Sequence, residues 1–365
     1  MSDFFKIIEA CLAKKEMRSD LVNQFLSNGA DVKRFIIGKN DESTKLINLL
    51  KIDGVIDDSS ETNVKWNGIP VFRREDVPKD ALVVNCSTSI SPVTVGKRLD
   101  EAGLRNVMNI HEVIAASEGK IKKPWFVDQM QDDYRKHKSE WYDLYNLMAD
   151  AETRKTLLDV MRFRLSADPV YMMNYSVRPN EQYFEDFLMI NHETFVDAGG
   201  FDGATTEVFC SKYPKYKKVF LFEPSHKSMR LAKERLKDLR DIVFYSEGLS
   251  DTSGVLSFDS DAGPASAIKI TGTSSTIKVT TLDEIIKEPV SFIKMDLEGW
   301  ELNALKGSKN HIIKDTPKLA IAVYHRAKDF RMIKDYILSL GVNYDIYLRH
   351  YTEGWSETVM YFVPK

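Results

Sequence analysis

Cysteine is scarce in this chain. Among 365 residues there are three, Cys11, Cys86 and Cys210, far apart and each in an apolar context. Disulfide frameworks and thiolate metal sites need cysteines at set, close spacings, so both are excluded; buried free thiols in a reducing compartment, the cytoplasm, are the expectation. No apolar run approaches the roughly 20 residues that span a bilayer. The opening MSDFFKIIEACLAKKEMRSD carries charges throughout and reads as an amphipathic helix, not a secretory signal. A surplus of one charge is missing too: 51 Lys and Arg stand against 54 Asp and Glu, a net of −3. That balance argues against nucleic acid as the main partner, because phosphate neutralisation needs clustered surplus cations. With hydrophobic residues at 43% and charged residues at 29%, the chain can bury sizeable cores, and its length suits two domains.

Three regions separate. Residues 1–116 alternate strands (RFII, GVIDD, ALVVNCS, NVMNI) with helical stretches (STKLINLLK, PVTVGKRLDEAG) around a turn, WNGIPVF. Alternation of this kind implies a parallel sheet with crossovers, a small Rossmann-like α/β domain. Residues 117–185 read as a helical connector, with Met130, Tyr134, Trp141, Leu144, Tyr145 and Met148 near helical spacing on one side. Residues 186–365 form a second α/β unit. Its strands are legible at FVDAG, KVFLFEP, DIVFYSEG, SFIKMD, KLAIAVYH, YDIYLRHY and ETVMYFVP. The last two flank TEGW and predict an antiparallel hairpin. Between residues 252 and 281, Ser, Thr and Gly alternate with β-formers, predicting a hairpin insert beside the cleft.

The stretch FVDAGGFDGATTEVF, residues 195–209, is a strand turning into a helix on glycines. Ligands of open α/β sheets bind at such carboxyl ends. Asp197 and Asp202 in this loop would repel a pyrophosphate, and neither G-x-G-x-x-G nor a P-loop ending is present. A ligand with a cationic centre and no phosphate fits better, and S-adenosylmethionine has that character. Asp197, Gly199, Gly200, Phe201, Gly203 and Thr205 are its candidate contacts here. Glu223, with Pro224 and Ser225, ends the next strand in FEPS, where a carboxylate can accept both ribose hydroxyls. Glu247, Gly248 and Leu249 in SEGLSD suit the adenine edge. In FIKMDLEGWELNALKG an apolar strand delivers Asp296 and Glu298 to the same edge, and two unpaired carboxylates are seldom placed there for stability.

Together, FVDAGGFDGATT, FEPS, GLSD and IKMDLEGWELNALKG resemble the FkbM family of S-adenosylmethionine-dependent methyltransferases, and the closing stretch from KLAIAVYHRAKDF to the C-terminus is similar as well. The resemblance covers roughly residues 180–365. It implies a seven-stranded methyltransferase sheet ending in an antiparallel hairpin, and methyl transfer to an oxygen, on a sugar, glycan or glycosylated metabolite. GGFDG departs from the commoner GxGxG at Gly200 and Phe201.

An alcohol nucleophile benefits from a general base. His325, after the fifth strand, is the first candidate because imidazole titrates near neutrality; His350, Glu298 and Asp296 follow. Asp296, Glu298 and His325 are also suitable ligands for Mg²⁺ or Mn²⁺. Arg326, Arg349 and Trp355 are candidates for shaping an acceptor site. The first domain has one glycine in FIIGKND where a dinucleotide turn wants three, which counts against a nicotinamide-dependent enzyme. Its strand ends at Gly38, Asp57 and Ser87 suit a nucleotide or sugar, or the domain serves structure or dimerisation. A small-molecule or glycan acceptor is the expected partner. The competing class is a cofactor- or sugar-nucleotide-binding module without catalysis; the intact Asp197, Glu223 and Asp296/Glu298 set favours the enzyme.

Overall fold

A computed structural model describes residues 3–14, 19–27, 32–61, 64–258 and 275–365. The chain divides into two compact units. The first comprises Met1–Lys138, Lys155–Val177 and Tyr351–Ser356; the second comprises Ser139–Arg154, Arg178–His350 and Glu357–Lys365. The helices of the predicted connector, Trp125–Lys136, Lys138–Leu147 and Ala151–Ser166, are therefore shared between them.

In the first unit, strands β1 (Arg34–Ile37), β2 (Gly54–Ile56), β3 (Lys65–Trp66), β4 (Ile69–Phe72), β5 (Leu82–Asn85) and β6 (Val107–Asn109) form one sheet, ordered β3-β4-β2-β1-β5-β6. The short Val- and Ile-rich runs in β2 and β5 are buried along their whole length, as a parallel sheet covered on both faces requires. One face packs Ile36, Val55 and Val84 against Leu46, Met108 and Val113. The other packs Phe35, Ile56 and Val83 against Leu99. WNGIPVF is more than a turn: Asn67 and Gly68, at φ 48° and 79°, make the tight link of a β3–β4 hairpin, and β4 then pairs parallel with β2.

In the second unit, β7 (Thr194–Ala198), β8 (Lys218–Phe222), β9 (Ile242–Tyr245), β13 (Phe292–Met295), β14 (Lys318–Ala322), β15 (Tyr344–His350) and β16 (Thr358–Pro364) form the expected seven-stranded sheet, ordered β15-β16-β14-β13-β7-β8-β9. The terminal β15–β16 hairpin is antiparallel, and β16 inserts antiparallel beside β14. Strand order reverses between β7 and β13, so the crevice where such folds take ligands lies between the ends of those two strands. A separate three-stranded sheet joins β10 (Gly248–Leu249), β12 (Ser275–Thr280) and β11 (Gly254–Phe258). β11 and β12 are the antiparallel legs of the predicted insert; residues 259–274, its remainder, lie outside the described residues. Among the described residues no helix is long and apolar enough to cross a membrane.

Candidate active site

The glycine loop follows β7 directly. Gly199 and Gly200 both donate their N–H to the Phe222 carbonyl at 3.0 Å, which ties the loop to the end of β8. Gly199 has φ +77°, and a Cβ there would stand 2.0 Å from the Asp296 carbonyl oxygen. Only glycine lets β7 and β13 leave the sheet this close together. Gly203, at φ +84°, precedes the helix Ala204–Lys212. Phe201 is left-handed at φ 46° and 65% exposed; its N–H donates to Glu223 Oε2 at 3.0 Å. Glu223 Oε1 accepts the Ser225 N–H at 2.7 Å, so the FEPS carboxylate sits clamped against the glycine loop. Burial pushes Glu223 upward, against these two backbone donors. Thr205 is half-buried on the helix face next to the loop, and Pro224 packs near Gly248 of β10. Glu247 is half-buried; Gly248 and Leu249 are buried.

Asp197 is fully buried, and its oxygens are used within the protein. Oδ1 meets Lys294 Nζ at 2.9 Å, and Oδ2 accepts the Thr206 hydroxyl at 2.7 Å. Lys294 also donates to the carbonyls of Ala198 and Gly199, at 3.3 and 2.8 Å. All three of its donors are thereby engaged. Arg235 is held by Asp202 and Glu207. Neither cation is left to meet a pyrophosphate, which suits a ligand without one. Lys294 and Thr206 were absent from the sequence reading; a lysine inside the apolar run FIKM is the signal that points to the first.

The second half of the site centres on His325, whose side chain is 6% exposed. Nδ1 lies 3.1 Å from Glu301 Oε1; Nε2 lies 3.5 Å from Asp296 Oδ1 and 3.4 Å from Glu298 Oε2. The ring nitrogens meet these oxygens as ion pairs without hydrogen-bond alignment. Burial alone would lower the imidazole, but Glu301 foremost, then Asp296 and Glu298, hold it up at about 9. Glu301 is fully buried, and its Oε1 also accepts the N–H groups of Leu297 and Gly299 at 2.7 and 3.2 Å. It thus fixes the turn that carries Glu298, left-handed at φ 53°, and Gly299 at φ +86°. Glu298 is raised by desolvation first, opposed by His325, although its side chain is 63% exposed.

Asp296 is further held by two phenols. Tyr183, itself at φ 74°, donates to Oδ2 at 2.7 Å, and Tyr324 lies 3.3 Å from both oxygens. Burial, then the Asp296 charge, raises both phenols well above their usual value, so they remain neutral donors. Gln182 donates to Tyr183 and to Glu357, whose carboxyl burial pushes up to about 7. Asp329 reaches about 7 by burial and then by the charge of Glu301. None of Tyr183, Gln182, Glu301, Tyr324, Asp329 and Glu357 was legible as a site residue, because no local pattern says which polar side chain will be folded against Asp296 and His325.

Of the other candidates, Arg326 stands at the Glu298–Gly299 turn and the rest lie elsewhere. His350 is buried on β15, its Nδ1 2.8 Å from the hydroxyl of cross-strand Thr358. Arg349 is buried on Asp150, Glu152 and Thr153, and Arg326 packs over Gly299. Trp355 belongs to the first unit, where it packs on Trp125 and Phe126. In that unit Asp57, despite burial, is held well below the usual carboxylate range by Lys39, Ser59 and Ser60. Gly38 is left-handed at φ +104°, with Ser87 N about one contact away at 3.1 Å from its ideal Cβ. The amino end of the helix Pro92–Glu101 already receives an anion of the unit itself: Glu353 accepts from the Thr94 N–H at 2.7 Å and the Thr94 hydroxyl at 2.6 Å. The metal expectation also changes membership. The ligand atoms that converge, within 4.8 Å of one another, belong to Asp296, Glu301 and His325, so buried Glu301 stands where Glu298 was expected.

Residues 197–344 match the methyltransferase FkbM domain. Over those residues the chain is similar to the FkbM methyltransferase family. The fold of the chain is similar to that of methyltransferase FkbM from Methylobacillus flagellatus KT, with a TM-score of 0.74 and 23% identity over 98% of each chain. A much weaker likeness, TM-score 0.33 and 18% identity, links 49% of this chain to 92% of an rRNA methylase from Streptococcus thermophilus. No curated protein shows a significant match. Within the FkbM domain, every site group described around the glycine loop and His325, apart from Gln182, Tyr183 and Glu357, falls inside the matched residues.

Proposed function

We propose that the chain is an S-adenosylmethionine-dependent O-methyltransferase whose acceptor is a hydroxyl of a sugar, glycan or glycosylated metabolite. The observation that carries the reading is the His325–Glu301 pair beside Asp296, at the switch point that also holds the glycine loop. The loop fits the cofactor by charge: its cations, Lys294 and Arg235, are engaged by Asp197 and Asp202, and the Glu223 carboxylate stands against the loop from the next strand end. Glu223, Gly199 to Gly203 and the 247–249 turn would hold the cofactor, which supplies an electrophilic methyl group when bound.

The protein's own part is positioning and proton handling. Glu301 engages Nδ1, which leaves Nε2 as the end of His325 that takes the acceptor's hydroxyl proton. Held at about 9, His325 is protonated at neutral pH before ligands bind. A cationic ligand beside it lowers its hold on that proton by like-charge repulsion. Asp296, fixed by Tyr183 and Tyr324, orients the acceptor or the imidazole from the other side.

The test is transfer of an isotope-labelled methyl group to a panel of sugars, sugar nucleotides and oligosaccharides, with the product's linkage read by mass spectrometry. A methyl group found on nitrogen, or none transferred to any hydroxyl, removes the reading. The convergence of Asp296, Glu301 and His325 favours a second reading, in which a divalent cation such as Mg²⁺ or Mn²⁺ activates the hydroxyl. Turnover abolished by chelator and restored by either ion selects it; chelator-resistant turnover selects the histidine.

A further inference from the structure

The near-neutral charge of the whole chain conceals a local excess. Residues 212–240 contain ten Lys and Arg against three Asp and Glu, a net of +7 in a chain that totals −3. They form the end of the helix Ala204–Lys212, the turn into β8, and the helix His226–Arg235 with the loop after it. Arg240 joins the two parts by donating to the carbonyls of Pro214 and Tyr216 at 3.3 Å each. Several of these cations are paired, Lys218 with Glu288 and Lys237 with Glu234 among them. Lys215, Lys217, Lys227 and Arg230 are exposed and have no acidic partner among the described residues.

Two leucines are set among these cations. Leu231, one helical turn from Lys227 and next to Arg230, is 48% exposed, and Leu239 is 36% exposed. Apolar side chains between unpaired cations match an interface with headgroups outside and acyl chains beneath. Nucleic acid fits less well: single strands need open aromatic faces for stacking, and here Tyr216 is buried and Tyr213 packs on Phe209.

We infer that the helix His226–Arg235 and the turn at residues 213–217 form a docking surface for an anionic lipid bilayer. The side chains that face the bilayer, Lys215, Lys217, Lys227, Arg230 and Leu231, are none of the site groups described above, so they place the enzyme and take no part in the reaction; Arg235 of the same helix stays on Asp202 of the glycine loop. Lys227 and Arg230 contact headgroup phosphates, and Leu231, one turn beyond Lys227 on the same face, enters the interface beside them.

The experiment is co-sedimentation of the full chain with vesicles of phosphatidylcholine alone and with about 30% phosphatidylglycerol, in low and high salt. Binding to the anionic vesicles only, weakened tenfold or more by Lys217→Glu/Lys227→Glu/Arg230→Glu and measurably by Leu231→Ser, with melting temperatures unchanged, supports the inference. Equal binding to both vesicle types overturns it, as does no binding to either. Unaltered binding by a folded triple variant also overturns it. A duplex DNA that competes the protein off the vesicles at equal phosphate concentration, with Leu231→Ser behaving as wild type, assigns the surface to a general polyanion instead.

Discussion

Asp197 and Lys294 face each other in register on adjacent parallel strands, and their charges meet at 2.9 Å with 0% and 3% of their side chains exposed. The pair closes the floor of the crevice and at the same time ties down the first residues of the glycine loop through Ala198 and Gly199. A buried pair of this kind is costly to break from one side only, because the remaining charge keeps its desolvation cost. Lys294→Met should therefore destabilise the fold by about 3–5 kcal/mol. Lys294→Met with Asp197→Asn should recover a large part of that loss. Urea denaturation of the two variants beside the wild type checks both statements, and a single variant as stable as wild type would refute the first.

Glu223 spans the glycine loop and the FEPS turn through Phe201 and Ser225. S-adenosylhomocysteine should raise the melting temperature of the wild type, since a ligand of the folded state stabilises it by mass action. Glu223→Ala should lose most of that shift. An equal shift in the variant would clear Glu223 of cofactor binding, and no shift in the wild type would remove the cofactor.

His325 is held at about 9 against an ordinary 6.5. The folded state therefore binds its proton more tightly than the unfolded state. The resulting stabilisation is complete below pH about 6.5 and disappears as pH rises through about 9. Glu301→Gln removes the strongest of the groups that raise it, so the imidazole should titrate at lower pH by NMR. If neutral imidazole is the working form, wild-type turnover should climb toward pH 9, and the variant's profile should shift acidward. A titration unmoved by Glu301→Gln would leave the shift to Asp296 and Glu298.

Asp329 has the opposite consequence. Its carboxyl is raised to about 7 by burial and then by Glu301, and Oδ2 has no partner among the described residues. A raised carboxyl costs stability as pH climbs from about 4 through 7, because ionisation is easier in the unfolded chain. Asp329→Asn should thus be more stable than wild type at pH 8, on the order of 1 kcal/mol, with the advantage gone below pH about 4. Melting curves under the two conditions decide it; an Asn variant destabilised under both would mean the carboxylate has a partner that matters.

Much of this was written locally. β7, β8, β13 and β14 are short apolar runs bounded by turn residues, and the pairing of TEGW with two alternating strands specified the terminal hairpin before any tertiary contact was known. Gly199 and Gly203 were legible as turn glycines because no other residue accepts those backbone angles cheaply. Asp296, Glu298 and His325 were legible as strand-end groups, and the fold does bring them together.

Local pattern cannot say which buried polar group meets which. That Lys294 lies opposite Asp197 depends on parallel register between strands 97 residues apart. That Glu301, and not Glu298, engages His325 Nδ1 depends on how the turn after β13 folds back under its own carboxylate. Tyr183 reaches Asp296 across 113 residues. The sequence by itself determined which segments are strands, where glycine must stand and which charges reach the edge of the sheet, since each of those follows from sterics and burial within a few residues. Which carboxylate meets the histidine at Nδ1, and how far its neighbours raise the imidazole, only the tertiary structure decided, because both depend on charges a few ångströms apart in space and tens of residues apart along the chain.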